Sequence, residues 1–243
     1  DLVVMNLKNE VHLDCISNNV NLVVLNVNHV RYSFVPLIKY LYKKKAKTLL
    51  VFNHELAVIL VILRSVLRFN FKIISRNISV LSIKINEFKK KGIWGKYVLN
   101  TFIKYFYHKI DHVINQCQNM QDDLISIYPQ LLNNSSVIHN PLSFRITEYA
   151  NKNDLTKIEK KNYLLCVGRL EEVKAFHCAI EGFAGISKKF PKLRLKIVGE
   201  GNLKKELVKK AINLSVADKI DFEGYQQDII PYYLYAKASI LTS

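Results

Sequence analysis

Three short apolar runs in the second half of the chain each stop at a glycine and hand over to a helical pattern, and this repetition constrains the fold most. Tyr163–Val167 runs into Gly168-Arg169, Leu193–Val198 into Gly199-Glu200-Gly201, and Lys219–Phe222 into Gly224-Tyr225. The first of these, Tyr163–Val167, is a continuous apolar run, which suits a strand buried on both faces of a parallel sheet. After the first, Ala179, Phe183, Ile186 and Phe190 recur at helical spacing until Pro191. After the second, Leu203, Leu207, Ala211 and Leu214 do the same. Pro231 suits the first turn of a short helix, and a last strand begins near Ser239. Strand-helix-strand repeated in this way predicts an α/β fold with a right-handed, doubly wound parallel sheet.

The first half follows the same logic less clearly. Strands are expected at Leu2–Leu7, His12–Ile16, Leu22–Asn26, Thr48–Phe52, Phe71–Ser75, His112–Asn115 and Ser136–His139. Helices are expected over Pro36–Lys44, Leu56–Phe69 and about Met120–Ile127. The organisation predicted is a first Rossmann-like domain over residues 1–143, a polar linker over 144–161, and a second domain over 162–243 that is cut short. Both ends read as cut, since the chain opens and closes on strand-like runs.

Ligands of open parallel sheets bind beyond the carboxyl ends of the strands, where loop amides and helix N-termini converge. Glycine at such an end lets backbone amides approach a ligand. None of the three turns matches a strict dinucleotide or P-loop fingerprint. In combination, Gly168-Arg169-Leu170-Glu171-Glu172-Val173-Lys174, Val198-Gly199-Glu200-Gly201 and Phe222-Glu223-Gly224-Tyr225 resemble the donor domain of glycosyltransferase family 4. The first half is similar to the family's acceptor domain through Phe52-Asn53-His54-Glu55, Ser75-Arg76-Asn77 and Val137-Ile138-His139-Asn140-Pro141.

This resemblance implies a GT-B fold of two facing Rossmann-like domains. It also implies metal-independent, retaining transfer of a sugar from a nucleotide diphosphate, a UDP-sugar being the expected donor, to a glycan or lipid-linked glycan. Surface polysaccharide or lipopolysaccharide synthesis is the expected setting. A leaving diphosphate gains charge as the glycosidic bond breaks, so without a metal or other cofactor fixed cations must stabilise it. Arg169 offers a forked guanidinium and Lys174 a mobile point charge. Gly168, Gly199, Glu200, Gly201 and Tyr225 are the expected donor-binding residues; Glu200 also reads as an acid favoured by the following helix dipole. His54, Arg76, Asn77 and Asn140 are candidate acceptor or cleft residues, with a hydrogen-bonded structural role as the alternative for His54. The other histidines read as structural or surface. The family has glycine where Ala175 stands, a change expected only to stiffen the turn. Its Glu-x7-Glu segment is expected just beyond Ser243, and its N-terminal glycine-rich loop before Asp1. The chain alone is therefore expected to be incomplete for activity. The rival function is a non-catalytic GT-B-like module that binds a glycan or a partner.

Composition sets the remaining bounds. The formal charge of +16 suits an anionic partner, although the abundance of Lys, Asn and Ile expected of an AT-rich coding sequence accounts for part of it. No recognised nucleic-acid-binding motif accompanies the charge, so nucleic acid is not an expected partner. The four cysteines form no CxxC pair and no metal-like spacing with histidine, which favours a reducing, cytoplasmic setting. Leu56–Leu63 is too short to span a bilayer. Residues 89–109, with Lys89, Lys90, Lys91 and Trp94, read either as a solvated helix face packed by Phe102, Ile103 and Phe106 or as a dock on anionic lipid at the inner face of the cytoplasmic membrane.

Overall fold

The computed structural model describes all residues except 8–12, 14–15, 91–96, 99 and 243. They form two compact units, Asp1–Pro141 and Leu142–Ser243. The expected strand His12–Ile16 lies largely outside the described residues, as does Trp94.

In the first unit β1 (Leu2–Val4) and β2 (Leu22–Val24) pair parallel as a small separate sheet. Then follow α1 (Phe34–Lys44), β3 (Thr48–Val51), α2 (His54–Leu67), β4 (Lys72–Arg76), α3 (Leu81–Lys90), α4 (Asn100–Phe106), β5 (His112–Asn115), α5 (Gln118–Ile127) and β6 (Ser135–Val137). The second sheet has the order β3-β4-β5-β6 and is parallel throughout. Its register sets Val51 opposite Ser75 and Asn115 opposite Val137, so the carboxyl ends share one edge. Helix α2 is apolar on nearly every side and buries Ala57, Val58, Ile59, Leu60, Val61 and Leu63, as a helix without a polar face must. Arg64, the one basic residue in its last turn, donates to the Phe71 and Lys109 carbonyls and pairs with Asp111, whose carboxylate also accepts from the Ile73 amide at 2.7 Å. A single guanidinium thereby ties α2 to the starts of β4 and β5. Ile103 is fully buried on α4, with Phe102 and Phe106 packed against the same core.

The second unit begins with α6 (Phe144–Lys152), a helix within the segment read as linker. After it come β7 (Tyr163–Val167), α7 (Phe176–Ser187), β8 (Arg194–Val198), α8 (Lys204–Asn213), β9 (Ile220–Gly224), α9 (Ile230–Tyr235) and β10 (Ala238–Ser239). The strand order is β10-β7-β8-β9, all parallel. Having added β8 and β9 on one side of β7, the chain returns through α9 and adds β10 on the other. The sheet therefore reverses direction between β7 and β10, which makes a topological switch point. Both sheet faces are covered. Cys166, Leu195 and Ile197 pack with Phe176, Ile180, Phe183, Leu207 and Ala211, while Tyr163, Leu165 and Val198 pack with Ala236 and Tyr232. Burial pushes the Cys166 thiol up to about 11, so it serves as a small core hydrophobe. The buried stripe of α7 is Phe176, Ala179, Ile180, Phe183 and Ser187, which includes Ala179 and Phe183 of the stripe read from spacing. Ile186 and Phe190 are exposed: Ile186 lies beside the stripe that meets the sheet, and Phe190 lies beyond the end of the helix.

Candidate functional site

The carboxyl end of the second sheet is built from backbone meeting backbone. Gly168 N–H donates to the Val198 carbonyl at 2.9 Å, Gly199 N–H to Gly224 at 2.7 Å, and Leu170 N–H to Glu200 at 2.9 Å. Gly199 sits at φ +136°, where a Cβ would fall 1.9 Å from the Gly168 oxygen. A Cβ on Gly201 would fall 2.3 Å from the Leu170 oxygen. Glycine at both positions is thus required by the neighbouring strand end of the protein itself. Gly224 also lies in the left-handed region, at φ +72°, and Tyr225 beyond it is exposed.

Beyond β7, residues Glu172–Lys174 make one 3-10 turn that reverses the chain into α7. The turn folds Lys174 back over the strand end, since a Cβ on Gly168 would lie 3.5 Å from its Cδ and 3.6 Å from its Cε. Thr242 Oγ1, past β10, donates to the Lys174 carbonyl at 2.6 Å. Lys174 is thereby pinned at the switch point, between the ends of β7 and β10. Arg169 is exposed and donates from Nη1 to Glu171 at 3.0 Å, which leaves its other N–H groups open. Ala175 takes φ +46°, so this residue does more than stiffen the turn: it holds a left-handed conformation that costs an L-residue about 1–2 kcal/mol. Glu200 precedes α8 by four residues and places its carboxylate beside Gly224, away from the helix's first turn, whose acid is Glu206.

In the first unit the four candidates separate into two groups at one sheet edge. His54 and Asn77 are buried, at 4% and 2% exposure, in a network around the fully buried Tyr107. His54 Nδ1 lies 3.1 Å from the Tyr107 hydroxyl, which donates to Asn77 Oδ1 at 2.6 Å. Asn77 Nδ2 in turn donates to Asn115 Oδ1 at 3.0 Å, and Ser75 stands alongside. Burial drives the His54 pKa down to about 4, so the ring is neutral at physiological pH. Half-buried Arg76 and exposed Asn140 form the second group. Arg76 Nη2 donates to Asn140 Oδ1 at 2.9 Å, and Asn140 Nδ2 to Gln116 Oε1 at 3.1 Å. Asn53 caps α2 by accepting from the Leu56 amide at 3.1 Å.

Tyr107, Asn115, Gln116 and Thr242 are site-edge residues that sequence reasoning missed. Asn115 was detectable, because each strand of this sheet is followed by or ends in asparagine, as Asn53, Asn77, Asn115 and Asn140. Tyr107 carried no signal, standing 53 residues from His54. Among the described residues no group of three His, Cys, Asp or Glu could hold a metal ion, and no helix is long and apolar enough to cross a membrane.

Two parallel α/β units, with glycine turns and cations at the strand ends of the second, define an α/β protein of the GT-B class. Within the second unit, residues 148–243 match the family described as Glycosyl transferases group 1. The chain is 25% identical over 202 residues to an uncharacterized glycosyltransferase of Methanocaldococcus jannaschii, a match covering 80% of this chain and 50% of that relative. It thus spans about half the length of the curated relative. Among solved structures it is similar in fold to WaaG, a glycosyltransferase involved in lipopolysaccharide biosynthesis. The TM-score is 0.62 at 14% identity, over 91% of this chain and 62% of that one. An E. coli trehalose-6-phosphate structure bound with UDP-2-fluoro glucose superposes with a TM-score of 0.58 at 11% identity, over 88% of this chain and 56% of that one.

Proposed function

We propose that the protein carrying this chain is a family 4 glycosyltransferase. It moves a sugar from a nucleotide-diphosphate sugar, a UDP-sugar in the first instance, to a glycan or lipid-linked glycan with retention and without a metal. The observation that carries the reading is Lys174 pinned over Gly168 at the switch point of the second sheet, with Arg169 beside it. A diphosphate there would meet two cations and a glycine-lined strand edge. Charge developing on the leaving phosphate is stabilised best by groups already in place, because they need not reorganise during bond breaking. Lys174 satisfies that condition through its turn. Arg169 would exchange its Glu171 contact for the phosphate, a bidentate partner that suits a guanidinium better. The relatives' printed names support the donor and the setting: one structure holds a UDP-sugar analogue and WaaG acts in lipopolysaccharide biosynthesis.

In the first unit, half-buried Arg76 with exposed Asn140 suits an acceptor contact, while neutral His54 would act as a hydrogen-bonding group and not as a cation. The basic stretch 89–109 would dock on anionic lipid and keep the enzyme peripheral at the cytoplasmic face.

The test uses the whole protein and a panel of nucleotide sugars. Arg169→Ala and Lys174→Ala are each expected to lower turnover by about a hundredfold or more while leaving the fold intact. Activity is expected to persist in EDTA. Wild-type turnover in both folded variants would remove the strand end of β7 from the mechanism.

A further inference from the structure

The second unit has another concave surface at the opposite end of its sheet. Two adjoining cavities, of about 480 and 730 Å³, share Lys161, Asn162 and Tyr235 and so form one continuous groove. The first is walled by the starts of β7 and β8 and by α9, and the second, adjoining it across the shared residues, by α6, the segment after it and the end of α9. Strands of five residues separate this groove from the glycine turns by roughly 15 Å. It is therefore distinct from the proposed donor site.

The chemistry along the groove is graded. At one end Arg194 is held by Asp221 through Nε at 2.9 Å, and Lys196 is paired with Glu223. Lys196 Nζ also lies 5.5 Å from the Tyr163 ring centre and 5.9 Å from that of Tyr232. These four charges are matched within the protein. Lys161 and Lys192 are exposed and have no carboxylate partner among the described residues; Lys161 lies over the Tyr235 ring at 4.9 Å. Lys160 lines the groove as well and donates only to the Leu234 carbonyl at 2.6 Å, so three lysines beside the exposed Tyr235 ring lack a carboxylate partner among the described residues. Toward the other end the lining turns to Tyr149, Asn153, Asp154 and Glu159, which supply amide, hydroxyl and carboxylate groups.

We propose that this groove binds an acidic oligosaccharide, a chain of sugars bearing carboxylate or phosphate groups. The C–H faces of a pyranose carry partial positive charge and pack on the negative face of a tyrosine ring. Hydroxyls pair with Asn153 and the carboxylates of the polar end. Acidic substituents meet Lys161 and Lys192, whose ammonium groups have no carboxylate partner among the described residues, with Lys160 alongside. A small globular anion would use the lysines but neither the length of the groove nor its rings. The inference concerns binding alone and stands apart from the transfer chemistry proposed above.

The test is titration calorimetry of this chain with hexagalacturonate, with maltohexaose as a neutral chain of equal length, and with inorganic phosphate. Because the chain is strongly basic, two double variants of equal charge are compared: Lys161→Ala/Lys192→Ala in the groove, and Lys205→Ala/Lys209→Ala on exposed α8. The groove pair is expected to weaken hexagalacturonate binding about tenfold and the α8 pair by less than about twofold, since only nearby charges escape screening. Tyr235→Ala is expected to weaken it comparably, and maltohexaose to bind at least about tenfold more weakly than hexagalacturonate. Equal losses in the two double variants would reduce the effect to the diffuse field of the whole chain. Displacement of hexagalacturonate by phosphate at matched charge would show a simple anion site. Either result, or an absence of hexagalacturonate binding, overturns the proposal.

Discussion

Gly199→Ala is expected to damage the strand end of the second unit without touching any ligand. An added Cβ would lie 1.9 Å from the Gly168 oxygen and 2.8 Å from its carbonyl carbon, both backbone atoms that cannot rotate away. Ordinary contact requires more than 3 Å, so β7 and β8 must part by over an ångström at this point. Two hydrogen bonds then fail, Gly168 N–H to Val198 and Gly199 N–H to Gly224. At about 1 kcal/mol each, with about 1–3 kcal/mol more for a side chain at φ +136°, the loss is about 3–5 kcal/mol. Urea denaturation followed by circular dichroism should show a midpoint lower by about 1–2.5 M, taking a slope of about 2–3 kcal/mol/M. Hydrogen exchange in β7 and β8 should accelerate in parallel. Gly182→Ala supplies the control: it is exposed within α7, a Cβ there meets nothing within 4 Å, and the helix should gain about 1 kcal/mol. A Gly199→Ala midpoint within 0.3 M of wild type, on the order of 1 kcal/mol or less, would refute the steric reasoning.

Ala175→Gly is expected to gain about 0.5–1 kcal/mol, because relief of the left-handed strain outweighs the extra unfolded-chain entropy of glycine; the urea midpoint reads it. His54 binds its proton more weakly folded than unfolded, so the unfolded chain takes up more protons between about pH 6.5 and 4 and stability falls as pH drops through that window. About 3 kcal/mol is lost, and His54→Gln should remove this part of the pH dependence in urea titrations at pH 7 and pH 4. Neutralising Lys89, Lys90 and Lys91 together should weaken binding to anionic vesicles by about two orders of magnitude, at about 1 kcal/mol per lysine, with wild-type binding falling as salt rises. Equal sedimentation with neutral and anionic vesicles would dismiss the membrane dock.

What the sequence determined by itself was local. Tyr163–Val167 and His112–Asn115 are strands over the residues their apolar runs mark out, since strand-forming side chains and turn residues report directly on the backbone they occupy. The glycine turns were legible for the same reason, as were Arg169 and Lys174 beyond the first of them. Tertiary structure decided everything that depends on which segments meet. Gly199 and Gly201 read as openings for a ligand, yet the Gly168 and Leu170 carbonyls already fill those spaces, a fact set by sheet packing. Lys174 lies at the switch point only because β10 pairs with β7 and Thr242 reaches back to the turn. His54 and Asn77 looked alike to Arg76 and Asn140 as strand-end polar residues. Tyr107, brought in from beyond α4's far end, draws the first pair into a buried network and leaves the second outside it, with Arg76 half-buried and Asn140 exposed. Periodicity records which face of an element is apolar, whereas partners distant in the chain are chosen by the order and stacking of the sheets, where no single window of residues carries the information.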